Sequence, residues 1–294
     1  MTAAFSVTGI TKRYENFALQ DISLSMPEGQ VMGLVGVNGA GKTTLLRILA
    51  GLARADAGSI EVLGFQMPAQ QVAAKRELGF ASEDMRLYKT QTLRWHMDFI
   101  QSIYPRWDEN YAQELLRRFD LRPEQALGGY SHGQRVKALL LLNFARRPRL
   151  LLLDEPTTGL DPVARDEVLQ ALADVLSDEA RSVLFSSHNT HDIEQLSDNI
   201  TFLHQGKLLA SKDKEVFIDE WRRIVCSGDW APDPSAWPEI AATRKNGSLI
   251  ELRARSYSDG LLHRLKDQGL EIRSSEAMSL EDIFVTTVRA GGAA

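Results

Sequence analysis

The pattern of apolar and polar residues predicts an open sheet of buried strands connected by helices. Three short runs are predominantly apolar, which indicates strands covered on both faces: VMGLVG at 31–36, LLLLD at 150–154 and SVLFSS at 182–187. The segment TTLLRILAGL at 43–52 repeats its apolar residues with helical spacing. Residues 5–35 alternate and turn like antiparallel strands. The chain is therefore expected to be an α/β protein.

The pattern also divides the chain into regions. Residues 84–145 have the spacing of polar-faced helices, and Gln205-Gly206 separates two short apolar runs as in a hairpin. Near residue 220 the composition shifts to Trp, Pro, Asp and Ser, which indicates a linker. Beyond it, Asn246-Gly247 predicts a hairpin, EIRSS a strand and SLED at 279–282 a helix start. We predict two domains, 1–220 and a small α+β extension at 221–294.

The composition is that of an ordinary globular protein. The 294 residues are 44% hydrophobic and 25% charged, with a net charge of −5. This balance does not suggest the basic face that nucleic-acid binding proteins usually show. A single cysteine, Cys226, excludes an internal disulfide and fits a reducing cytoplasm. No apolar run approaches the length of about eighteen residues that a membrane span needs, so we expect any membrane role to depend on a partner.

A glycine-rich stretch, GVNGAGKTT at 36–44, lies between the first buried strand and the helix that follows it. It matches the phosphate-binding pattern G-x-x-x-x-G-K-[ST] in the strand–loop–helix context that this pattern requires. Glycines let successive backbone N–H groups turn toward a phosphate, and the helix adds its positive end. We expect catalytic Lys42 to reach the β- and γ-phosphates of ATP and Thr43 to bind Mg²⁺. The loop's expected nucleotide contacts are Gly36, Asn38, Gly39, Ala40, Gly41, Lys42, Thr43 and Thr44.

Acidic residues end the second buried strand, in LLLLDEP at 150–156. Ligands of open α/β sheets bind at the carboxyl ends of the strands. Asp154 is therefore expected to hold Mg²⁺, and Glu155 to orient and polarise the attacking water. The third strand ends in SSH, where His188 is placed to donate to the γ-phosphate. A lone histidine is more often structural, but a position beside two acids at the strand ends favours a catalytic role.

Taken together, these motifs resemble the nucleotide-binding subunit of an ATP-binding cassette (ABC) transporter. The phosphate loop is similar to the family's Walker A motif, and four further stretches match in order and spacing: YSHGQ at 130–134, LLLLDEP at 150–156, TGLD at 158–161 and SSH at 186–188. The resemblance covers about residues 3–215. It implies a P-loop NTPase core with an antiparallel β subdomain, a helical signature subdomain at about 84–145 and a C-terminal α+β extension.

The resemblance also implies a shared ATP site. In the family two subunits pair head to tail, and the signature of each covers the ATP on the other's Walker A motif. Ser131 and the Gly133 backbone would then bond the γ-phosphate of the partner's ATP, with Gln134 and the D-loop residue Asp161 beside them. The alternative for Ser131 is that it caps its own helix. The resemblance implies that Tyr14 stacks on the adenine of ATP. The alternative is that Tyr14 only packs against a neighbouring strand.

Two positions depart from the family's pattern. His132 replaces the usual signature glycine, so a ring is expected where two subunits approach closely. Glu83 stands where the Q-loop usually has glutamine. Its carboxylate still offers oxygen to Mg²⁺ or to the attacking water, but it adds negative charge beside a triphosphate. We therefore expect a stricter need for Mg²⁺ than glutamine would impose.

Within the family, the chain resembles the ATPases of bacterial exporters of the drug, antibiotic or peptide-resistance type. The resemblance rests on the Tyr that begins the signature, on YPRWDENYAQELLRRFDL and on SLEDIFV. It implies separate membrane permease subunits, a peripheral location on the cytoplasmic face of the membrane, and a second ATPase subunit, identical or different. An import system is the alternative within the family. The alternative class is a soluble ABC-type ATPase that acts on nucleic acid or ribosomes, which one cassette without a coiled-coil insertion disfavours.

Several aromatic residues have two possible roles. The permease is expected to bind the helical subdomain near Glu83, where four aromatic side chains either contact it or fill the subdomain core: Tyr88, Trp95, Tyr104 and Trp107. Three tryptophans of the extension either mark a dimer surface or anchor the linker: Trp221, Trp230 and Trp237.

Overall fold

In the computed structural model the chain divides into two compact units, Met1–Leu208 and Leu209–Ala294. The structure describes residues 2–176, 181–229, 232–233 and 235–291, so Trp230 lies outside the described residues. The predicted domain boundary at residue 220 stays a prediction. None of the helices in these ranges is long and apolar enough to cross a lipid bilayer.

The first unit contains an antiparallel sheet and most of a larger sheet with a parallel centre; the last strand of the larger sheet begins before Leu208 and continues into the second unit. Their strands, in chain order, are β1 (Ala3–Tyr14), β2 (Phe17–Pro27), β3 (Val31–Val35), β4 (Ala57–Val62), β5 (Phe65–Met67), β6 (Leu78–Ser82), β7 (Leu150–Asp154), β8 (Ser182–Ser187), β9 (Asn199–His204) and β10 (Lys207–Asp213). The antiparallel sheet has the order β2-β1-β4-β5, and the larger one the order β10-β9-β3-β8-β7-β6. Strands β3, β8, β7, β6 and β9 pair in parallel, as the three apolar runs predicted.

The helices of this unit connect the strands. They are α1 (Lys42–Leu49), α2 (Gln71–Glu77), α3 (Leu93–Ile103), α4 (Glu109–Arg118), α5 (His132–Phe144), α6 (Pro162–Leu176) and α7 (Thr190–Leu196). Helices α3, α4 and α5 fall in the region predicted to be helical. The core lies between the two sheets and the buried side of α1, where Leu45, Leu46 and Leu49 are fully buried.

The second unit is a four-stranded antiparallel sheet with helices. Its elements are α8 (Lys214–Asp219), β11 (Arg222–Ser227), β12 (Ile240–Asn246), β13 (Leu249–Ala254), α9 (Asp259–Asp267), β14 (Glu271–Ala277) and α10 (Leu280–Gly291). The strand order is β12-β13-β11-β14. One face of this sheet packs on Leu261 and Leu265 of α9 and encloses a separate small core. The observed elements agree with an α+β extension.

The two predicted hairpins are present. Gln205 and Gly206 both have positive φ, 46° and 74°, as a two-residue hairpin turn with a right-handed twist requires. In the second hairpin Asn246 pairs with Leu249, so the turn residues are Gly247 and Ser248, one position later than predicted. The shift occurs because Gly247 takes the positive φ of 62° that begins this turn.

Gly33 allows α7 to pack closely on the central strand β3. A Cβ added at Gly33 would lie 2.4 Å from Ile193 Cγ2 and 2.5 Å from Ser197 Oγ. The strand ends directly at the phosphate loop, so this contact helps to fix the position of that loop. At position 33, the side of β3 that faces α7 therefore has no room for a side chain.

We expect Gly33→Ala to lower the free energy of unfolding by about 1–3 kcal/mol, because the methyl group overpacks a buried contact. Urea unfolding followed by circular dichroism measures the change. Gly260→Ala in α9 is the control, since its added Cβ would come no closer than 3.7 Å to a neighbour. A wild-type midpoint for Gly33→Ala would show that α7 does not pack against β3 as described.

Candidate active site

The phosphate loop is built for close approach of an anion to the backbone. It runs from the end of β3 to the start of α1, with Gly39 and Gly41 at φ of 80° and 109°. A Cβ at Gly41 would lie 2.7 Å from side-chain atoms of Phe17 and Leu19, so only glycine fits there. The hydrogen-bond ladder of α1 begins with Leu45 N–H donating to the Gly41 carbonyl at 3.0 Å. The amides just before Leu45 thus have no carbonyl of the helix to bond and can turn to a phosphate.

A cavity of about 480 Å³ lies over this loop. Residues 37–44 form one wall, with Asn16 and Phe17 beside them. Four acidic residues face the same space: Glu83, Asp84, Asp154 and Glu155. The fold therefore brings the loop, Asp154 and Glu155 at the end of β7, and Glu83 to one cavity. Gly36 lies beneath the loop, where its carbonyl accepts a hydrogen bond from Lys42 Nζ at 2.6 Å.

Lys42 is the buried cation of the site. Its side chain is only 7% exposed, and Nζ lies 3.1 Å from Glu155 Oε1. An ammonium with so little contact with water needs an anion nearby. In this structure Glu155 supplies that charge, while the same Nζ bonds the Gly36 carbonyl.

Glu155 is held from several sides at the end of β7. It adopts a positive φ of 53°, unusual for a residue with a side chain. Its backbone N–H donates to Ser186 Oγ at 3.0 Å, and its Oε2 accepts from Thr158 Oγ1 at 2.9 Å. His188 Nδ1 lies 2.7 Å from the same Oε2. The carboxylate is thus fixed through Oε2, and its other oxygen faces Lys42.

These contacts keep Glu155 ionised. Burial raises the pKa of its carboxyl, but the charge of Lys42 and the hydrogen bonds from His188, Lys42 and Thr158 outweigh burial and hold the pKa below its ordinary value. An ionised carboxylate is the form that can accept a proton from water. His188, whose ring is half exposed, connects this carboxylate to the edge of the site.

Asp154 is the more deeply buried acid. It is 6% exposed, and its Oδ1 accepts a hydrogen bond from Ser186 Oγ at 2.8 Å. Asp154, Thr43 and Glu83 all line the cavity, and oxygen ligands of this kind suit Mg²⁺. No three His, Cys, Asp or Glu side chains gather tightly enough in the described ranges to hold a metal alone. The residues therefore fit a Mg²⁺ that takes few protein ligands and completes its shell with phosphate and water.

The signature stretch forms the start of α5. Ser131 Oγ accepts from Gln134 N–H at 3.2 Å, and Gln134 Oε1 accepts from Ser131 N–H at 2.9 Å, which makes a capping box. Ser131 therefore does cap its own helix, the alternative role considered above. The described residues that line the phosphate cavity do not include Ser131, Gly133 or Gln134. Asp161 likewise caps α6, accepting from the N–H groups of Val163 and Ala164, each at 3.0 Å.

The His132 ring turns toward its own chain. Its Nε2 lies 3.2 Å from the Thr158 carbonyl oxygen, and the ring lies over Gly159, where a Cβ would be 3.0 Å away. Gly159 has a φ of 71° and leaves the space that the ring occupies. His132 also lines a smaller cavity, of about 190 Å³, with Glu83 and Arg135. A chain of contacts therefore runs from the signature through Thr158 to Glu155.

Tyr14 is half exposed and lies at the edge of the site. Its ring is 6.5 Å from that of Phe17 at an angle of 26°, and Lys12 Nζ lies 5.5 Å from its centroid. Phe17, rather than Tyr14, is among the residues that line the phosphate cavity. Sequence reasoning missed Phe17, as well as Thr158 and Ser186. The position of Phe17 at the start of β2, directly after a two-residue turn and beside Tyr14, is the signal that could have indicated it.

Comparisons with known proteins agree with this geometry. The family model described as "ABC transporter" matches residues 19–158. The chain is 34% identical over 214 residues to the ABC transporter ATP-binding protein YtrB of Bacillus subtilis, a match that covers 73% of each chain. It is 31% identical to the Nod factor export ATP-binding protein I of Mesorhizobium japonicum, over 74% of this chain and 66% of that protein. A solved ATP-binding subunit of an ABC transporter superimposes with a TM-score of 0.68 at 25% identity, covering 74% of this chain and 92% of that one.

The fold and the site define an ATP-hydrolysing P-loop protein. More specifically, the chain belongs to the ATP-binding proteins of ABC transporters. The family, the fold class and ATP binding expected from the sequence are thereby confirmed, and so is the ATPase activity. The comparisons do not support the alternative class that acts on nucleic acid or ribosomes.

The low pKa of Glu155 predicts a defined pH dependence of stability. The Lys42–Glu155 pairing should contribute fully above the unfolded-state glutamate pKa of about 4.3 and be lost as the pH falls through the lower folded-state pKa. We expect Glu155→Gln to cost about 1–3 kcal/mol near pH 7, because it leaves a buried ammonium without its anion. Urea unfolding without nucleotide, at several pH values from 7 downward, should show this difference shrinking below pH ~4.

Glu114→Gln is the matched control, since Glu114 is an exposed glutamate of α4. Its difference from wild type should be small at every pH. A deficit of Glu155→Gln that stays constant down to the acid limit would contradict the pairing.

Proposed function

We propose that two copies of the chain, or one copy and a similar subunit, close head to tail around two ATP with Mg²⁺ and drive export through separate membrane subunits. The position of the signature carries the dimer proposal. Ser131 is exposed at the start of α5, and neither it nor Gly133 is among the described residues that line the chain's own phosphate cavity. A helix N-terminus that is open to solvent and does not line its own chain's phosphate cavity can bind the nucleotide of another subunit.

The residues around the cavity divide the work of hydrolysis. On ATP binding, the Lys42 ammonium would leave the Glu155 carboxylate and bind the β- and γ-phosphates instead, since the phosphates would be competing anions for the same ammonium. Glu155, then released from Lys42 but still held by Thr158 and His188, would orient the attacking water through Oε1 and accept its proton. His188 would bond the γ-phosphate while it supports Glu155.

Thr43, Asp154 and Glu83 would hold Mg²⁺, which neutralises phosphate charge when bound. The acid at position 83, with Asp84 beside it, adds negative charge to the cavity and supports the expected strict need for Mg²⁺. Tyr14 and Phe17 would together form the surface that receives the adenine.

The aromatic surface of the helical subdomain supports the permease proposal. Tyr88, Trp95 and Phe99 are exposed, and the Trp95 and Phe99 rings stack at 5.4 Å. Tyr104 and Trp107 are instead half-buried, with Arg146 lying over the Tyr104 ring at 3.5 Å and Trp107 Nε1 donating to Glu109 Oε2 at 2.8 Å. An exposed apolar cluster of this kind marks a protein contact. Since it lies on α3 and on the segment that follows Glu83, a permease bound there would be next to the site. Such binding would keep the chain at the cytoplasmic face of the membrane.

The direction of transport rests on the relatives. One of the proteins to which this chain is similar is named as a Nod factor export protein, and we extend export to this chain. The exposed aromatic cluster does not itself distinguish export from import.

Glu155→Gln tests the shared site. We expect it to leave ATP binding near the wild-type affinity, to reduce turnover by at least ~100-fold, and to give a long-lived dimer with Mg-ATP, because the amide cannot accept the proton from water. Nucleotide binding, phosphate release and analytical ultracentrifugation measure the three properties. Lys42→Ala is the control and should lose both ATP affinity and dimer. A Glu155→Gln protein that remains monomeric at saturating Mg-ATP would contradict the dimer proposal.

The docking surface is tested on the assembled transporter. Phe99→Asp should weaken copurification with the permease and lower transport, while the ATPase activity of the isolated subunit stays within about twofold of wild type, because Phe99 is not among the residues that line the phosphate cavity. Val216→Asp is the control, because Val216 is an exposed apolar residue of α8 in the second unit. Equal copurification of the permease with both variants would show that the aromatic cluster is not part of the interface.

A further inference from the structure

The sheet of the second unit has one apolar face and one charged face. On β13 the residues Ile250, Leu252 and Ala254 enter the small core with α9. The residues between them and just after them, Glu251, Arg253 and Arg255, therefore point to the opposite face. On that side they meet β12 and α10.

A cavity of about 730 Å³ lies on the charged face, between β12, β13 and α10. Small side chains leave it open: Ala241, Ala242 and Ala290. The volume is that of a typical small-molecule site. Four arginines line it: Arg244, Arg253, Arg255 and Arg289. Glu251 is the only acidic residue in the described lining, so this wall is strongly positive in a chain with a net charge of −5.

Two of the four arginines are held by other groups. Arg253 Nη1 donates to Thr286 Oγ1 at 2.8 Å, and its Nε lies 3.2 Å from Glu251 Oε1. Arg255 Nε donates to the Pro238 carbonyl at 2.7 Å. These contacts orient the two guanidinium groups, while each keeps further N–H donors that the contacts do not use.

The other two arginines have no such contact. Arg244 is opposite Glu251 in the strand register, yet that carboxylate is paired with Arg253 instead. Arg289 extends from the last turn of α10. Within the described ranges neither side chain makes a hydrogen bond or an ion pair. Gathering four cations around one acid costs electrostatic energy, which a bound anion would offset.

We propose that this cavity binds a phosphate-bearing anion. Guanidinium groups match the oxygens of phosphate with paired N–H donors, which an ammonium cannot do. The pre-oriented Arg253 and Arg255 form the floor of the site, and Arg244 and Arg289 close on the ligand from the strand and from the helix. The same chemistry is offered by a soluble phosphorylated metabolite and by the headgroup of an anionic lipid.

The test uses the full chain carrying Lys42→Ala, so that the phosphate loop contributes little to the binding of a phosphate probe. Inorganic pyrophosphate is titrated by calorimetry, and binding is also measured to vesicles of phosphatidylglycerol and of phosphatidylcholine. Adding Arg244→Gln and Arg289→Gln should weaken pyrophosphate binding at least ~10-fold. The control adds Arg54→Gln and Arg117→Gln, two exposed arginines outside the cavity, and should leave affinity unchanged. Circular dichroism checks that each protein is folded.

The vesicle measurements distinguish a lipid headgroup from a soluble phosphorylated metabolite as the ligand. Arginine-dependent binding to phosphatidylglycerol but not to phosphatidylcholine, competed by pyrophosphate, would assign the site to a lipid headgroup. Arginine-dependent binding of pyrophosphate without vesicle binding would assign it to a soluble metabolite. Binding of neither probe, or an equal loss in the Arg54/Arg117 control, overturns the proposal.

Discussion

The site depends on one buried charge contact, between the Lys42 ammonium and the Glu155 carboxylate. Each group belongs to a different element, Lys42 to the start of α1 and Glu155 to the residue after β7. They meet because β3 and β7 are both parallel strands that end at the same edge of the sheet, with β8 between them. His188, which follows β8, reaches the same carboxylate from the strand in the middle. The sheet order thus decides which chemical groups can share a substrate.

A second consequence of this arrangement is that signature and base are mechanically connected. His132 contacts the Thr158 carbonyl, and the Thr158 hydroxyl donates to Glu155. If the signature of one subunit covers the ATP of the other, a displacement of α5 would reach Glu155, the residue proposed to orient water in its own subunit, through His132 and Thr158. In the proposed dimer, the turn at Thr158 and Gly159 would therefore connect the two nucleotide sites.

The sequence predicted much of the core and of the site, because those features are local. Apolar runs identify strands that are buried on both faces, and strand ends identify the acids, so Asp154 and Glu155 could be assigned without coordinates. Phe17 and Thr158 could not, since their roles depend on where distant segments meet. The contact of the His132 ring with its own chain could not be predicted either, because it depends on the space that Gly159 leaves in a distant turn. Likewise, the alternation of Glu251, Arg253 and Arg255 is visible in the sequence, but the sequence does not show that β12 and α10 enclose a cavity with them.

The capping box at Ser131 and Gln134 also bears on how fast and how tightly two subunits can join. Because these side chains already satisfy each other, the signature is rigid before any partner arrives. Association of such a surface loses little conformational entropy, and less of the interaction energy is consumed in ordering a loop. In the proposed dimer, preorganisation of this kind would favour a closing step limited by diffusion and by nucleotide binding, and opening would then depend on cleavage of the phosphate bond.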